Sequence, residues 1–111
     1  MSLLLVTLFQ HFNDIAPDNT WFLGQLGLLI ADRHAAMPAG SYTTSLFADG
    51  KARIAQKVGE EGVELALARM KDDGTEIANE TADLLFHIMV LLQDAGLKLG
   101  DVIKVLEERY R

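Results

Sequence analysis

The strongest structural signal lies in KARIAQKVGEEGVELALARMK (residues 51–71) and TEIANETADLLFHIMVLLQDA (residues 75–95). Both segments repeat apolar residues at the spacing of an amphipathic α-helix, and neither alternates them as a β-strand would. The link between them, DDG (residues 72–74), is short, so we expect two antiparallel helices that lie side by side. Thr75 is expected to cap the second helix.

Helical spacing also predicts shorter helices on either side of this pair. None of the remaining segments has an alternating strand pattern or a hairpin turn signal. The fold class is therefore predicted to be all-α, an antiparallel helical bundle. The additional helices are expected over residues 3–16, 21–36 and 42–49, and over a last segment that Asp101 caps and that ends at Tyr110.

The composition excludes several classes of function. The 111 residues fit one domain, and the chain is expected to fold because half of its residues are hydrophobic. The lack of cysteine excludes thiol nucleophiles and cysteine-based metal sites. The net charge of −6 repels phosphate backbones, so nucleic acid is not an expected partner. The longest apolar stretch, residues 84–92, is far shorter than the ~20 residues of a membrane span, so we expect a cytoplasmic protein without a membrane partner.

A charged strip runs along the first long helix. At about 100° per residue, its members fall within a sector about 100° wide. Apolar residues border the strip on both sides, whereas a simple surface helix has one apolar stripe and a broad polar back. This helix is therefore expected to pack through two faces, one containing Ile54 and the other containing Leu67. The strip consists of Arg53, Lys57, Glu60, Glu61 and Glu64.

A second polar strip lies on the following helix, which is otherwise almost entirely apolar. The strip is only about 60° wide. So much apolar surface needs more neighbours than one short chain offers, as in helical homo-oligomers. We therefore expect a bundle that dimerisation completes. The members of the second strip are Glu76, Glu80, Asp83, His87 and Asp94.

The acidic residues of the two helices are expected to converge. Glu61 and Glu64 share one helix face by their i,i+3 spacing, Glu80 and Asp83 share another, and Glu60 lies one turn before Glu64. Carboxylates this close repel one another unless a cation neutralises them. Oxygen ligands with room for water and phosphate suit Mg²⁺, with Mn²⁺ as a substitute, better than zinc. The same spacing is also compatible with two solvated helix faces that bind no metal.

His87 has two interpretations. It either supports Asp83, one turn before it, or is a hydrogen-bonded packing residue within an apolar helix. A di-iron carboxylate centre is not expected, because neither Glu64 nor Glu80 is followed by a histidine three positions later. A basic residue such as Lys57 beside metal-binding acids suits a polyphosphate substrate, which needs both cation bridges and direct contacts.

Three segments resemble phosphoribosyl-ATP pyrophosphatase of histidine biosynthesis. They are SYTTSLFADG (residues 41–50), RIAQKVGEEGVE (residues 53–64) and NETADLLFHIMVLL (residues 79–92). The E-E-x-x-E…E-x-x-D pattern alone is typical of the wider all-α, MazG-like nucleotide pyrophosphohydrolase group. The S-Y-T, K-V-G-E-E and D-L-L-F-H runs narrow the resemblance to this member, and it covers residues 41–111.

The resemblance implies Mg²⁺-dependent hydrolysis of phosphoribosyl-ATP to phosphoribosyl-AMP and pyrophosphate by a homodimer. Lys57 matches the motif lysine of the family and is expected near the substrate phosphates. Arg53, Tyr42 and Thr43 are the further candidates for substrate binding. The acids that match the metal ligands of the family are Glu60, Glu61, Glu64, Glu80 and Asp83, and the catalytic candidates among them are Glu61, Glu64 and Asp83.

The N-terminal part departs from the short monofunctional members of the family. TWFLGQL (residues 20–26) is similar to the junction of bifunctional proteins, in which a cyclohydrolase domain precedes the pyrophosphatase. We therefore divide the chain into a helical extension or linker (residues 1–40) and a pyrophosphohydrolase domain (residues 41–111), with a cyclohydrolase domain expected in a longer parent protein. Two alternatives stay open: a house-cleaning nucleoside triphosphate pyrophosphatase and a non-catalytic helical dimerisation module.

Overall fold

The structure, a computed structural model, describes residues 18–111, and the helix expected over residues 3–16 lies outside this range. A short 3-10 turn over Asp18–Trp21 precedes five α-helices, and no strand occurs between residues 18 and 111. The all-α prediction is therefore confirmed for this part of the chain. The helices are α1 (Phe22–Ala36), α2 (Tyr42–Asp49), α3 (Lys51–Met70), α4 (Gly74–Asp94) and α5 (Leu99–Tyr110).

Two helix caps differ from the prediction. Asp73, not Thr75, caps α4, and its carboxylate accepts a hydrogen bond from the backbone N–H of Glu76 at 3.1 Å. Asp101 lies inside the first turn of α5, where its carboxylate accepts from the backbone N–H of Lys98 at 2.8 Å. Asp and Thr both serve as caps, so composition alone did not identify which residue leaves the helical conformation first.

The core forms where the first four helices meet. α3 and α4 are the most extensively packed pair, and a three-residue turn (residues 71–73) joins them. Each of the four helices contributes a buried apolar side chain to this core. Because α3 and α4 turn their apolar faces to the core, their polar strips lie next to each other outside it. The buried cluster consists of Ile30, Leu46, Ile54, Met89 and Val90.

Helix α1 packs into this core although it precedes residue 41. Its Ile30 is buried, and Leu23 and Leu26 pack against the same cluster. The helix thus takes part in the packing of the following segment, and the boundary at residue 40 stays a prediction. An apolar cavity of about 560 Å³ lies between α1, the end of α4 and the start of α5, and none of the candidate site residues lines it.

The two apolar faces of α3 have different surroundings. Ile54 is 1% exposed and faces the core. On the other face Val63, Leu67 and Met70 are 60%, 56% and 81% exposed. Helix α5 has no buried residue, and Ile103 and Leu106 are among its exposed side chains. Within residues 18–111, no helix combines the length and apolar character needed to cross a membrane.

Candidate active site

Three acidic side chains converge between α3 and α4. One carboxylate oxygen from each of Glu61, Glu64 and Glu80 lies within 4.8 Å of the other two. Glu61 and Glu64 occupy successive turns of α3, and Glu80 projects from the facing helix after the tight turn at residues 71–73. Glu61 is buried, Glu80 is half-buried and Glu64 is exposed, so this carboxylate cluster opens toward solvent on one side.

Two oxygens of the carboxylate cluster lack a hydrogen-bond partner among the described residues. They are Oε2 of Glu61 and Oε2 of Glu80, and both are buried. A buried carboxylate oxygen without a partner is costly unless a cation or an ordered water satisfies it. The donor set is all oxygen, which suits a hard divalent cation such as Mg²⁺. Between residues 18 and 111, Glu61, Glu64 and Glu80 are therefore the residues best arranged to hold a metal ion.

The electrostatics of the cluster follow from this crowding. Hydrogen bonding with Glu64, together with burial and the negative charges of Glu64 and Glu61, raises the pKa of Glu80 to about 7. Burial works to raise the pKa of Glu61 as well, but hydrogen bonds with Glu64 and Lys57 and the charge of Lys57 lower it overall. The metal-free cluster therefore holds a proton on Glu80 below about pH 7, while the lowered pKa of Glu61 favours its ionised form.

Lys57 supplies the positive charge beside the cluster. Its Nζ lies 3.4 Å from Oε1 of Glu61 and 3.6 Å from Oε2 of Glu60. Partial burial works to lower the pKa of Lys57, but Tyr42, Glu61 and Glu60 raise it overall. The ammonium group thus remains charged at neutral pH, at the place where the sequence predicts a phosphate contact.

The other predicted site residues lie outside the carboxylate cluster. The carboxylate of Glu60 pairs with Lys57 and accepts a hydrogen bond from Nε2 of Gln56 at 2.7 Å. Asp83 is exposed one turn after Glu80, and Arg53 is exposed near the start of α3. The structure therefore brings together three of the five predicted metal ligands. The assignments of Glu60, Asp83 and Arg53 stay predictions.

A hydrogen-bonded chain connects α2 to α4 next to this cluster. The Tyr42 hydroxyl lies 2.9 Å from Nε2 of His87, and Nδ1 of His87 lies 2.7 Å from the backbone carbonyl oxygen of Asp83. A carbonyl can only accept, so Nδ1 carries a proton, and in the neutral imidazole Nε2 then accepts from the hydroxyl. His87 is 5% exposed and contacts the backbone of Asp83 rather than its carboxylate, which matches the packing interpretation.

Sequence reasoning did not find the bond between Tyr42 and His87. The two residues are separated by 45 positions, and neither forms a motif with the other. Ser41 places Tyr42 at the start of α2, because its Oγ accepts a hydrogen bond from the backbone N–H of Thr44 at 3.3 Å. Thr43, the neighbouring candidate, is half-buried in the same turn.

Comparison with known proteins gives one family and closely similar relatives. Residues 23–110 match the family described as phosphoribosyl-ATP pyrophosphohydrolase. The histidine biosynthesis bifunctional protein HisIE of Xanthomonas campestris is 56% identical over 90 residues, which cover 81% of this chain and 44% of that protein. The protein of the same name from Escherichia coli K12 is 52% identical over 101 residues, or 90% of this chain and 49% of that protein.

A third relative agrees with these two. The histidine biosynthesis bifunctional protein HisIE of Photobacterium profundum is 55% identical over 89 residues, which cover 80% of this chain and 43% of that protein. The chain thus spans a little less than half the length of the curated relatives it matches.

Proposed function

Since the chain belongs to the phosphoribosyl-ATP pyrophosphohydrolase family, we propose that it hydrolyses phosphoribosyl-ATP to phosphoribosyl-AMP and pyrophosphate, the second step of histidine biosynthesis. The observation that carries this proposal is the carboxylate cluster of Glu61, Glu64 and Glu80 beside Lys57. A polyphosphate ester needs cationic neutralisation and a direct basic contact, and this site offers groups for both.

Mg²⁺ is the metal we assign to the cluster, with Mn²⁺ as a substitute. The two buried, unpartnered oxygens of Glu61 and Glu80 and the all-oxygen donor set support this choice. When bound, the ion would neutralise phosphate oxygens and stabilise the leaving pyrophosphate. We assign Glu60 and Asp83 as additional ligands. Glu60 precedes Glu61 in sequence, and Asp83 lies one turn after Glu80 on α4.

The remaining candidate residues bind the substrate or activate the attacking water. Lys57 and Arg53 contact phosphate oxygens, and Tyr42 and Thr43 line the substrate-facing edge. A carboxylate among Glu61, Glu64 and Asp83 orients the attacking water and accepts its proton as the oxygen bonds to phosphorus. The phosphoric anhydride bond breaks in the same step, and its electron pair leaves with pyrophosphate when water attacks the α phosphorus, or with phosphoribosyl-AMP when water attacks the β phosphorus.

A homodimer is part of the proposal. The exposed apolar face of α3, with Val63, Leu67 and Met70, lies on the side of the helix away from the core. Helix α5 likewise carries exposed Ile103 and Leu106 and buries no residue within a single chain. An apolar face of this kind on a short helical chain is explained by a second copy that covers it, as the family resemblance implies.

The relatives support a further partner. Because they are bifunctional and about twice as long as the matched region, we assign a cyclohydrolase domain as the partner of this fold in a longer parent protein. A cytoplasmic location completes the proposal, since a highly charged nucleotide substrate does not cross membranes unaided.

The test is pyrophosphate release from phosphoribosyl-ATP and from a panel of ordinary and deoxynucleoside triphosphates, each with Mg²⁺ and with EDTA. Release from phosphoribosyl-ATP alone, abolished by EDTA, is the expected result. Release from the other nucleotides only would keep the carboxylate chemistry but replace the substrate with that of a house-cleaning enzyme. No release from any nucleotide would favour a non-catalytic dimerisation module.

A further inference from the structure

We propose that the exposed ring of Tyr42 is a stacking surface for the base of the nucleotide, and that His87 is the positioning residue that holds this ring in place. The inference rests on the proposed function, since it assigns the part of the site that takes the purine rather than the phosphates. Three observations carry it: the orientation of Tyr42, its immobilisation, and its place beside Lys57.

The orientation of Tyr42 is the reverse of an ordinary surface tyrosine. A tyrosine at the surface usually buries its ring and turns its hydroxyl to water. Here the hydroxyl points inward to Nε2 of the buried His87 at 2.9 Å, while the residue as a whole is 52% exposed. Because the hydroxyl is turned inward, the ring is the part of the side chain that can contribute to this exposure.

The ring is also immobilised before any ligand arrives. Nδ1 of His87 is tied to the carbonyl oxygen of Asp83 at 2.7 Å, so the acceptor of the Tyr42 hydroxyl cannot rotate freely. Phe86 stacks on Tyr42 with ring centroids 6.3 Å apart, and Ser45 Oγ donates to the Tyr42 carbonyl at 2.6 Å. A ring that is already ordered loses little conformational entropy on binding, which favours a recognition role.

The position of Tyr42 beside Lys57 indicates which ligand its ring would contact. The Tyr42 hydroxyl is hydrogen-bonded to His87, which is hydrogen-bonded to the backbone of Asp83, one turn after Glu80 of the carboxylate cluster. The Lys57 ammonium lies 3.4 Å from Glu61 in the same cluster, and Tyr42 contributes to the raised pKa of Lys57. If Lys57 and a cation in the carboxylate cluster hold the polyphosphate of a nucleotide, its nucleoside end would lie near Tyr42. Every nucleobase has a π face, and aromatic side chains bind it by stacking.

The test measures equilibrium binding of α,β-methylene-ATP and of inorganic tripolyphosphate, both with Mg²⁺, because only the first ligand carries a base. Tyr42→Leu should weaken binding of the nucleotide by about tenfold and leave tripolyphosphate binding unchanged. Tyr42→Phe keeps the ring but loses its anchor, so a smaller loss is expected. Tyr110→Leu, which changes the other tyrosine of the chain, is the matched control and should bind both ligands as the wild type does.

The positioning role of His87 has its own readout. His87→Gln keeps a side-chain hydrogen-bonding group for the Tyr42 hydroxyl and should bind the nucleotide nearly as the wild type does. His87→Leu should weaken nucleotide binding as Tyr42→Phe does, and combining the two changes should add little, because both remove the same hydrogen bond. Additive losses would overturn the assignment of His87.

Several results would overturn the stacking surface itself. One is nucleotide binding by Tyr42→Leu equal to the wild type. A second is an equal loss of binding for both ligands in Tyr42→Leu, which would assign Tyr42 to the scaffold. A third is a changed oligomeric state of this variant, which would assign Tyr42 to a subunit contact. Failure of the proposed function is a separate result. In that case the wild-type protein would release no pyrophosphate from phosphoribosyl-ATP, whatever the binding measurements show.

Discussion

Glu61 on α3 and Glu80 on α4 bring carboxylate oxygens within 4.8 Å of each other, and each residue has one buried oxygen, Oε2, without a hydrogen-bond partner among the described residues. Their ionisation differs, because Lys57 helps to keep the pKa of Glu61 low whereas Glu64 and burial raise that of Glu80 to about 7. This asymmetry makes the pair sensitive both to protons and to cations.

Replacing Glu61 by its neutral amide should abolish turnover without unfolding the helices. Glu61→Gln removes a cluster charge, and Asp83→Asn removes a predicted ligand, so each should lower kcat by about 10²-fold or more. Pyrophosphate release and circular dichroism measure the two properties. Glu108→Gln, an exposed acid on α5, is the control and should be fully active. Normal activity of Glu61→Gln would refute its role, and normal activity of Asp83→Asn would remove Asp83 from the site.

The stability of the metal-free protein should depend on pH through Glu80. The folded protein keeps this proton up to about pH 7, whereas the unfolded chain loses it near the ordinary value of 4.5. The folded state therefore binds more protons between these values, and the contribution of Glu80 to stability is lost as pH rises through them. Thermal unfolding in EDTA should show this loss in the wild type, and Glu80→Gln should flatten it.

The same proton should compete with Mg²⁺. Binding of the cation expels the proton from Glu80, so the apparent affinity for Mg²⁺ should rise as pH increases from about 6 to 8. The rise in Tm on adding Mg²⁺ measures this affinity, because a ligand of the folded state raises its stability. A pH-independent Tm shift, or a full shift in Glu80→Gln, would contradict the assignment.

Removing the charge of Lys57 should weaken substrate binding. Lys57→Met keeps most of the alkyl chain but loses a charge-assisted contact to phosphate, so KM should rise roughly tenfold. The pKa of Glu61 should also rise, because Lys57 is one of the groups that lower it. Lys51→Met changes an exposed lysine on the same helix and should leave KM unchanged. Equal KM values for the two variants would exclude Lys57 from phosphate binding.

A charge placed on the exposed apolar face of α3 should dissociate the proposed dimer. Leu67 is 56% exposed in the single chain, so Leu67→Glu should leave the fold intact while opposing burial against a second copy. Sedimentation velocity should then find a dimer for the wild type and a monomer for the variant. Gln25→Glu adds the same charge at an exposed site on α1 and should remain dimeric. A monomeric wild type would reject this interface.

The cap of α4 can be tested against the residue that the sequence suggested. Asp73→Ala removes the carboxylate that accepts from the backbone N–H of Glu76, and should lower the free energy of unfolding by about 1 kcal/mol. Thr75→Ala should be close to neutral, because Thr75 lies inside the helix. Urea denaturation measures both variants, and the opposite ranking would contradict the observed cap.

Much of the architecture could be read from the sequence because helical periodicity is a local property. Apolar spacing identified the helices between residues 18 and 111 to within a few residues, and the polar strips of α3 and α4 contained Glu61, Glu64 and Glu80. The caps were less predictable, since several neighbouring residues have suitable side chains and only the backbone conformation selects one.

Periodicity could not say which acids meet. Periodicity gives the direction in which each side chain leaves its own helix axis. It gives neither the rotation of one helix relative to its neighbour nor the rotamer of each side chain. Gln56 and Lys57 bind Glu60 on the helix surface, so Glu60 shares the strip of Glu61 without joining its cluster. Likewise, the bond from Tyr42 to His87 exists only because α2 packs against α4. Residue types and helix faces were therefore encoded locally, whereas the carboxylate cluster, its pKa values and the inward-turned tyrosine required the packed helices.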